Sequence, residues 1–336
     1  MKKTLFLSHN PEGVHLEFAK SIDAEIKIIP FKSYISLTKS YKLLSYLYPF
    51  ISLIYSLFIR FKGEIIIVDG GSSLYTAVFF KKRNPKIKII YLDGDLLFYN
   101  IITQKLNRKH NKIKLFFIMK LIKNIDASIS VSKQNKEFLS QILKVPGKVV
   151  VPYPKEIKRI SLKRKDYGLY VGRLDPDKKI ERIINFAIQC PYFEKFIVVG
   201  DGILNKYVRR IANNNKKIFY FKKRDDVEKF YSKCKFLIHI PDSDPHPCTT
   251  MEAVICGCFP ILSKGVGTKY LFDDIFIVNN PDDFNEINDK INFILNNEKK
   301  SRYLLKESFK KILSKKECLI KFKKEFNLLL NKIQNI

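Results

Sequence analysis

Tryptophan is missing altogether from the 336 residues, and methionine, cysteine and glycine are sparse at 3, 6 and 13. The six cysteines, Cys190, Cys234, Cys248, Cys256, Cys258 and Cys318, fall in the second half at spacings that form neither a CxxC pair nor a zinc pattern. They read as reduced, mostly buried thiols. Glycine and proline together fill only 27 positions against 46% hydrophobic residues, which argues against a disordered chain and leaves enough apolar side chain for a core. Acid is the scarce sign of charge. With 33 Asp and Glu against 62 Lys and Arg the formal charge is +29, a balance that draws nucleic acid, anionic membrane surfaces or phosphorylated substrates. Charge alone does not choose among these, because 17 Tyr, 27 Phe and the abundance of Lys, Ile and Asn also fit the bias of an AT-rich genome.

Motifs of several enzyme classes are missing too. No Gly-x-x-x-x-Gly-Lys loop points to an NTPase, and no Ser, His and Asp arrangement points to a hydrolase. Residues 1–7 run two lysines straight into TLFL, without the apolar core or cleavage site of a secretion leader, so a cytoplasmic body is expected. No repeat of fixed period occurs.

What is present is an alternation. Short apolar runs at 4–7, 26–29, 65–68, 87–91, 127–131 and 149–151 are separated by helix-like segments such as 72–80 and 133–143, the pattern of a parallel sheet wrapped by helices. A Pro- and Lys-rich stretch at 152–165 interrupts it, and strands resume at 169–171, 196–199, 218–221, 236–240, 259–262 and 275–278. Ile180, Ile183, Ile184, Ala187 and Ile188 form one apolar helical stripe. A Lys-rich helical tail begins near 301. Two domains are expected, 1–155 and 156–315, with 316–336 a helix that packs back on the first.

One segment breaks the rhythm. Residues 43–59 (LLSYLYPFISLIYSLFI) carry no charge, lie between Lys42 and Arg60 with Lys62, and approach the lower length limit of a bilayer span. Their Ser and Tyr residues and central Pro49 favour an interfacial helix or hairpin; a buried helix pair of the first domain is the equal alternative. Phe116, Phe117, Met119, Leu121 and Ile122, set among lysines, repeat the theme more weakly.

The residue types that carry chemistry follow the strands of the second half, at the carboxyl ends where open α/β sheets bind ligands. After 169–171 comes Gly172-Arg173-Leu174-Asp175-Pro176-Asp177-Lys178-Lys179, a turn with a guanidinium fork and an ammonium suited to a diphosphate. Strand 196–199 ends in Gly200-Asp201-Gly202, whose glycines permit close backbone approach. After 236–240, the loop with Asp244 and His246 leads to a short helix over 249–256, whose N-terminal amides and hydroxyls, with Cys248, Thr249 and Thr250, suit an anion. Glu252 can accept both hydroxyl protons of a ribose, and Asp244 can accept from a sugar.

GRLDPDKK, VVGDG and DPHPCTTMEAVICGCFPIL, in this order and spacing over about 170–267, resemble the nucleotide-binding domain of glycosyltransferase family 4, of GT-B fold. The family's two acidic residues separated by seven are matched by Asp244 and Glu252. The resemblance implies two Rossmann-like doubly wound domains facing each other across a cleft, and a retaining transfer without a required metal or other cofactor. In it Arg173 and Lys178 bind the donor diphosphate, Glu252 the ribose, and Asp244 with the backbone of 246–249 the transferred sugar. The sequence departs from the pattern in having Asp at the first acidic position, where Glu is usual. It also has Gly265-Val266-Gly267-Thr268-Lys269 in place of a paired-glycine turn followed by Pro and Glu.

The first half matches the family only in outline. Its loop 8–13 should face the cleft and ends in Gly13, carried as a donor contact. Asp93 and Asp95, in LDGD after strand 87–91, stand where an acceptor-binding or catalytic carboxylate is expected; a solvated turn is the competing reading, and a DxD metal site is discounted. Of the histidines, His9 and His246 lie on cleft loops, His15 on a helix, His239 on a strand and His110 in a basic run. The expectation is a retaining transferase moving sugar from a UDP- or GDP-sugar to a lipid-linked or polysaccharide acceptor, in peripheral contact with an anionic membrane. A nucleotide-sugar epimerase or sugar phosphorylase, and a non-catalytic protein binding nucleic acid or membrane, are the alternatives.

Overall fold

In the computed structural model, which describes residues 3–9, 11–29, 54–71, 73–103, 112–158, 160 and 162–334, the chain divides into two units. One is Met1–Pro152 with Lys315–Ile336, the other Tyr153–Ser314.

The first unit is built from β1 (Thr4–Ser8), α1 (Gly13–Ser21), β2 (Glu25–Ile28), β3 (Ile65–Asp69), α2 (Leu74–Arg83), β4 (Lys88–Asp93), α3 (Leu97–Ile102), α4 (Lys112–Ile122), β5 (Ala127–Ser130), α5 (Lys133–Ile142) and β6 (Gly147–Val149). Its strands are all parallel, in the order β2-β1-β3-β4-β5-β6. Ile65 to Val68 are buried without alternation, because helices cover both faces of a parallel sheet and β-branched side chains fill the pleat. Ser132 starts α5 by accepting the Asn135 backbone N–H at 3.2 Å.

The second unit runs β7 (Lys165–Val171), α6 (Ile180–Gln189), β8 (Lys195–Val199), α7 (Asn205–Asn214), β9 (Ile218–Phe221), α8 (Glu228–Lys233), β10 (Cys234–His239), α9 (Cys248–Ile255), β11 (Phe259–Ser263), β12 (Ile277–Val278), α10 (Phe284–Asn296) and α11 (Glu298–Lys310). Its parallel order is β12-β11-β10-β7-β8-β9, the doubly wound arrangement in which the chain builds outward from β7, returns, and builds outward on the other side. The direction of winding reverses between β7 and β10 here, and between β1 and β3 in the first sheet. At such switch points the flanking loops diverge and leave a crevice at the carboxyl ends of the strands.

The stripe expected on α6 turns out slightly rotated. Ile180, Ile183, Ile184 and Ala187 are buried, but Ile188 is 37% exposed, and Phe186 takes the buried place against Phe193 and Phe284. Two aromatic neighbours outweigh the periodicity. The tail is two helices broken at 311–314, α11 and α12 (Lys315–Gln334). α12 belongs to the first unit: Phe322 stacks on Phe18 at 4.4 Å, Lys315 pairs with Glu17 at 3.1 Å, and Lys148 with Glu325 at 2.8 Å. Most of 43–59, with Pro49, lies outside the described residues; within 54–58, a helical segment, Ile54, Leu57 and Phe58 are exposed, and Tyr55 Oη bonds the Ile28 carbonyl at 3.1 Å. No helix among the described residues is long and apolar enough to cross a membrane.

Candidate active site

The second sheet places its motifs on the loops around its own switch point. β7 feeds the Arg173 turn and β10 feeds the Asp244 loop, and these strands are neighbours. The short 3-10 turn Pro176–Lys178 delivers Lys178 to a buried position, where its Nζ donates to Asp244 Oδ2 at 2.7 Å. His239 Nε2 meets the same oxygen at 2.9 Å. Burial alone would raise the Asp244 pKa, but the Lys178 charge and the His239 hydrogen bond outweigh it and hold the carboxyl well below the usual range. The ammonium, an anion and an imidazole are thereby fixed at one point.

Backbone bonds hold this loop from its far side. Asp244 N–H donates to the Gly265 carbonyl at 3.1 Å, and Gly267 N–H to the Asp244 carbonyl at 2.8 Å. A Cβ on Gly265 would lie 2.0 Å from the Asp242 carbonyl oxygen, so the 265–269 segment is a clamp on the Asp244 loop. Thr268 continues it, its hydroxyl 3.0 Å from that of buried Thr250 in α9. Arg173 is the exposed member of the site. Its side chain is 65% accessible, with Nη1 on Asp175 Oδ2 at 2.5 Å and Nη2 3.6 Å from Asp177 Oδ2.

The two glycines after β8 approach the chain itself. A Cβ on Gly200 would stand 1.9 Å from the Gly172 carbonyl oxygen, and one on Gly202 2.8 Å from the Leu174 backbone. They seat the Arg173 turn. Glu252, on the inner face of α9, accepts a hydrogen bond from Tyr231 Oη at 3.0 Å; burial raises its pKa, against the pull of Tyr231 and Lys155. His246 and Cys248 flank the start of α9, with Nδ1 and Sγ 3.9 Å apart, and Thr249 is half-buried beside them. Burial pushes the thiols of Cys190 and Cys256 up to about 11 and that of Cys234 up to about 12, so these are packing residues.

In the first unit Asp93 and Asp95 are held inside hydrogen-bond networks. Asp93 takes Ser130 Oγ at 3.0 Å and Asn135 Nδ2 at 3.2 Å, tying β4 to β5 and α5. Asp95 accepts the backbone N–H groups of Gly71 at 2.9 Å and Leu97 at 3.0 Å, and the Tyr91 hydroxyl at 3.1 Å. Burial raises both carboxyl pKa values, that of Asp93 strongly. Gly13 opens α1 with no atom within 4 Å of where a Cβ would stand, and His110 lies outside the described residues. No cluster of His, Cys, Asp and Glu among the described residues has the makings of a metal site.

Four polar residues that the motifs did not announce join these sites: His239 and Tyr231 in the second unit, His15 and Asp69 in the first. Asp69 had a signal in the sequence, Asp-Gly-Gly at the end of an apolar strand. Tyr231 and His15 look from the sequence like ordinary helix residues, and only the fold brings them to their partners.

Residues 153–311 match the family of glycosyl transferases group 1. No curated protein matches the chain. Among solved structures the fold is similar to Anabaena HepE in complex with UDP and glucose, with a TM-score of 0.70 at 17% identity over 99% of this chain and 100% of that one. Sucrose-phosphate synthase from Thermosynechococcus elongatus gives a TM-score of 0.77 at 13% identity over 98% of this chain and 100% of that one. The lipopolysaccharide outer core galactosyltransferase WaaB, apo form, gives 0.67 at 15% identity over 98% of this chain and 99% of that one. At these identities the likeness concerns the fold, a two-domain α/β GT-B architecture.

Proposed function

We propose that the chain is a group 1 glycosyltransferase of the family 4 type, which moves a sugar from a UDP- or GDP-sugar to a hydroxyl acceptor with retention of configuration. The observation that carries this is the meeting of the loops after β7 and β10, where Lys178, Asp244 and His239 share one hydrogen-bonded point and Arg173, paired with Asp175 and Asp177, stays largely exposed.

A nucleoside diphosphate gains negative charge as it leaves the anomeric carbon. Arg173 supplies a planar fork and Lys178 a point charge, so this charge is stabilised as it develops. The first-turn amides of α9, with Thr249, add the positive end of a helix. Glu252, steadied by the Tyr231 hydroxyl and the Lys155 backbone, accepts from the ribose hydroxyls. Asp244, with the backbone of 246–249, contacts the transferred sugar, and its one-methylene-shorter side chain sets that sugar's depth. No metal is called upon, since Arg173 and Lys178 meet the diphosphate charge.

The acceptor belongs to the first unit and is a lipid-linked or polysaccharide glycan. Exposed Leu57, Phe58, Phe116 and Phe117, among Arg60, Lys62, Lys120 and Lys123, suit peripheral contact with an anionic membrane where such acceptors reside. The reading is tested by thermal unfolding in the presence of UDP, GDP, ADP and TDP and their sugars. One strongly stabilising nucleotide identifies the donor class by mass action, and a protein stabilised by none of them while nucleic acid stabilises it does not have this function.

A further inference from the structure

Two buried rings of the second unit, Tyr170 near the end of β7 and His239 at the end of β10, stand on adjacent strands. Their planes lie within 18° of each other, with centroids 6.2 Å apart. Tyr170 Oη donates to the Arg173 carbonyl at 2.7 Å and so ties down the turn after β7. Burial raises the Tyr170 pKa well above its ordinary value, so the phenol keeps the proton it donates. A Cβ on Gly172 would come within 2.9 Å of Tyr170 Oη, so this glycine makes room for the phenol. His239 does for the loop after β10 what Tyr170 does for the other turn, since its Nε2 meets Asp244 Oδ2 at 2.9 Å.

Lys178 reaches the same oxygen at 2.7 Å, but it does so on a flexible four-carbon stem and lies 3.5 Å from Asp177 Oδ2 as well. The ammonium alone therefore does not fix the Asp244 carboxylate. A second donor does, because the His239 ring is rooted in a central strand and packed beside Tyr170. The Asp244 carboxyl is held ionised and can only accept, so the proton of this bond sits on Nε2. His239 Nδ1 is buried and has no hydrogen-bond partner among the described residues, so nothing pulls the ring the other way. Both contacts fall on Oδ2, and Asp244 Oδ1 takes no bond from a described residue.

We infer that His239 is a positioning residue of the donor site, which pins Oδ2 of Asp244 and so turns Oδ1 to a hydroxyl of the donor sugar. The inference rests on the transferase reading above and adds how its sugar-binding carboxylate is aimed. A division of labour between the two rings follows. Tyr170 steadies the Arg173 turn and serves the diphosphate, whereas His239 steadies Asp244 and serves the sugar. A nucleoside diphosphate senses the first ring alone, and the complete nucleotide-sugar senses both. The affinity for the nucleotide-sugar relative to that for its nucleoside diphosphate thus isolates His239 from any general loosening of the unit.

The test is titration calorimetry on the full chain with the nucleotide-sugar that stabilises it and, separately, with the matching nucleoside diphosphate. His239→Phe is expected to lower the ratio of the two affinities by about 10-fold, the value of one hydrogen bond to a charged group, with nucleoside diphosphate binding little changed. His239→Gln, whose side-chain amide keeps an N–H donor at similar reach, should restore most of the ratio. Tyr170→Phe should weaken both ligands by the same factor and leave the ratio alone. The nitrogen NMR shifts of His239 in the wild-type protein report the proton directly, whether or not the variants fold, and it is expected on Nε2. A His239→Phe chain with the wild-type ratio, a Gln variant no better than Phe, a Tyr170→Phe chain that loses the ratio as fully, or a ring without a proton on Nε2 overturns the inference and leaves the transferase reading intact. A wild-type chain that binds neither nucleotides nor their sugars overturns both.

Discussion

Asp244 shows how one side chain ties stability to function. It is the counter-ion of a buried ammonium, so Asp244→Asn strands Lys178 and should cost about 3 kcal/mol. For a unit of this size that lowers the unfolding midpoint on the order of 10 °C, measurable by calorimetry. The sign with pH follows from the depressed carboxyl pKa: wild type's advantage over the variant is full at neutral pH and is lost only as pH falls through the folded-state pKa, below the ordinary carboxylate range. Tyr231→Phe makes a subtler change. Glu252 already has a raised pKa from burial, and without the phenol it rises further. Nucleotide affinity should drop by roughly 10-fold, the value of one hydrogen bond to a charged group, and should fail at a higher pH than in wild type, as titration calorimetry across pH would show. The positions of Arg173 and Lys178 after β7, and of Asp244 and Glu252 after β10, were legible in the sequence because the motifs follow directly on apolar strands. Tyr231, His15 and Asp69 were not, because their partners lie 21, 54 and 61 residues away and no local pattern encodes such a pairing.

The turn after β8 illustrates what a connecting element must satisfy. Gly200→Ala would drive a Cβ into the Gly172 carbonyl, backbone against backbone, with no flexible side chain to yield. It is expected to destabilise the protein by about 1–3 kcal/mol and to weaken nucleotide binding through displacement of the Arg173 turn. Gly13→Ala is the contrasting change, since its Cβ meets open space in the first turn of a helix. It should stabilise by about 0.5–1 kcal/mol through the unfolded chain's lost freedom, seen as a raised denaturation midpoint. The helices and strands themselves were largely readable, since buried parallel strands such as Ile65–Asp69 announce themselves as continuous apolar runs. The rotation of α6 was not, because it depends on the aromatic side chains that lie opposite Phe186.

At the scale of the molecule, the formal charge of +29 makes salt the control for every membrane experiment. Sedimentation with anionic liposomes should fall steeply as salt is raised, and Phe58→Glu with Phe117→Glu should abolish it at salt concentrations where wild type still binds. Binding that survives both changes would place the contact elsewhere on the surface. The two-domain organisation was visible as an interrupted alternation, but the order of strands was not, since register partners such as Ser8 and Asp69 come from distant parts of the sequence. The return of α12 to the first unit has a consequence for how the protein is made. The face of α1 that bears Phe18 meets Phe322 only after the whole of the intervening second unit has been synthesised, on the order of a minute at the slower ribosomal rates. During that interval the uncovered face of α1 around Phe18 is the surface a chaperone would meet.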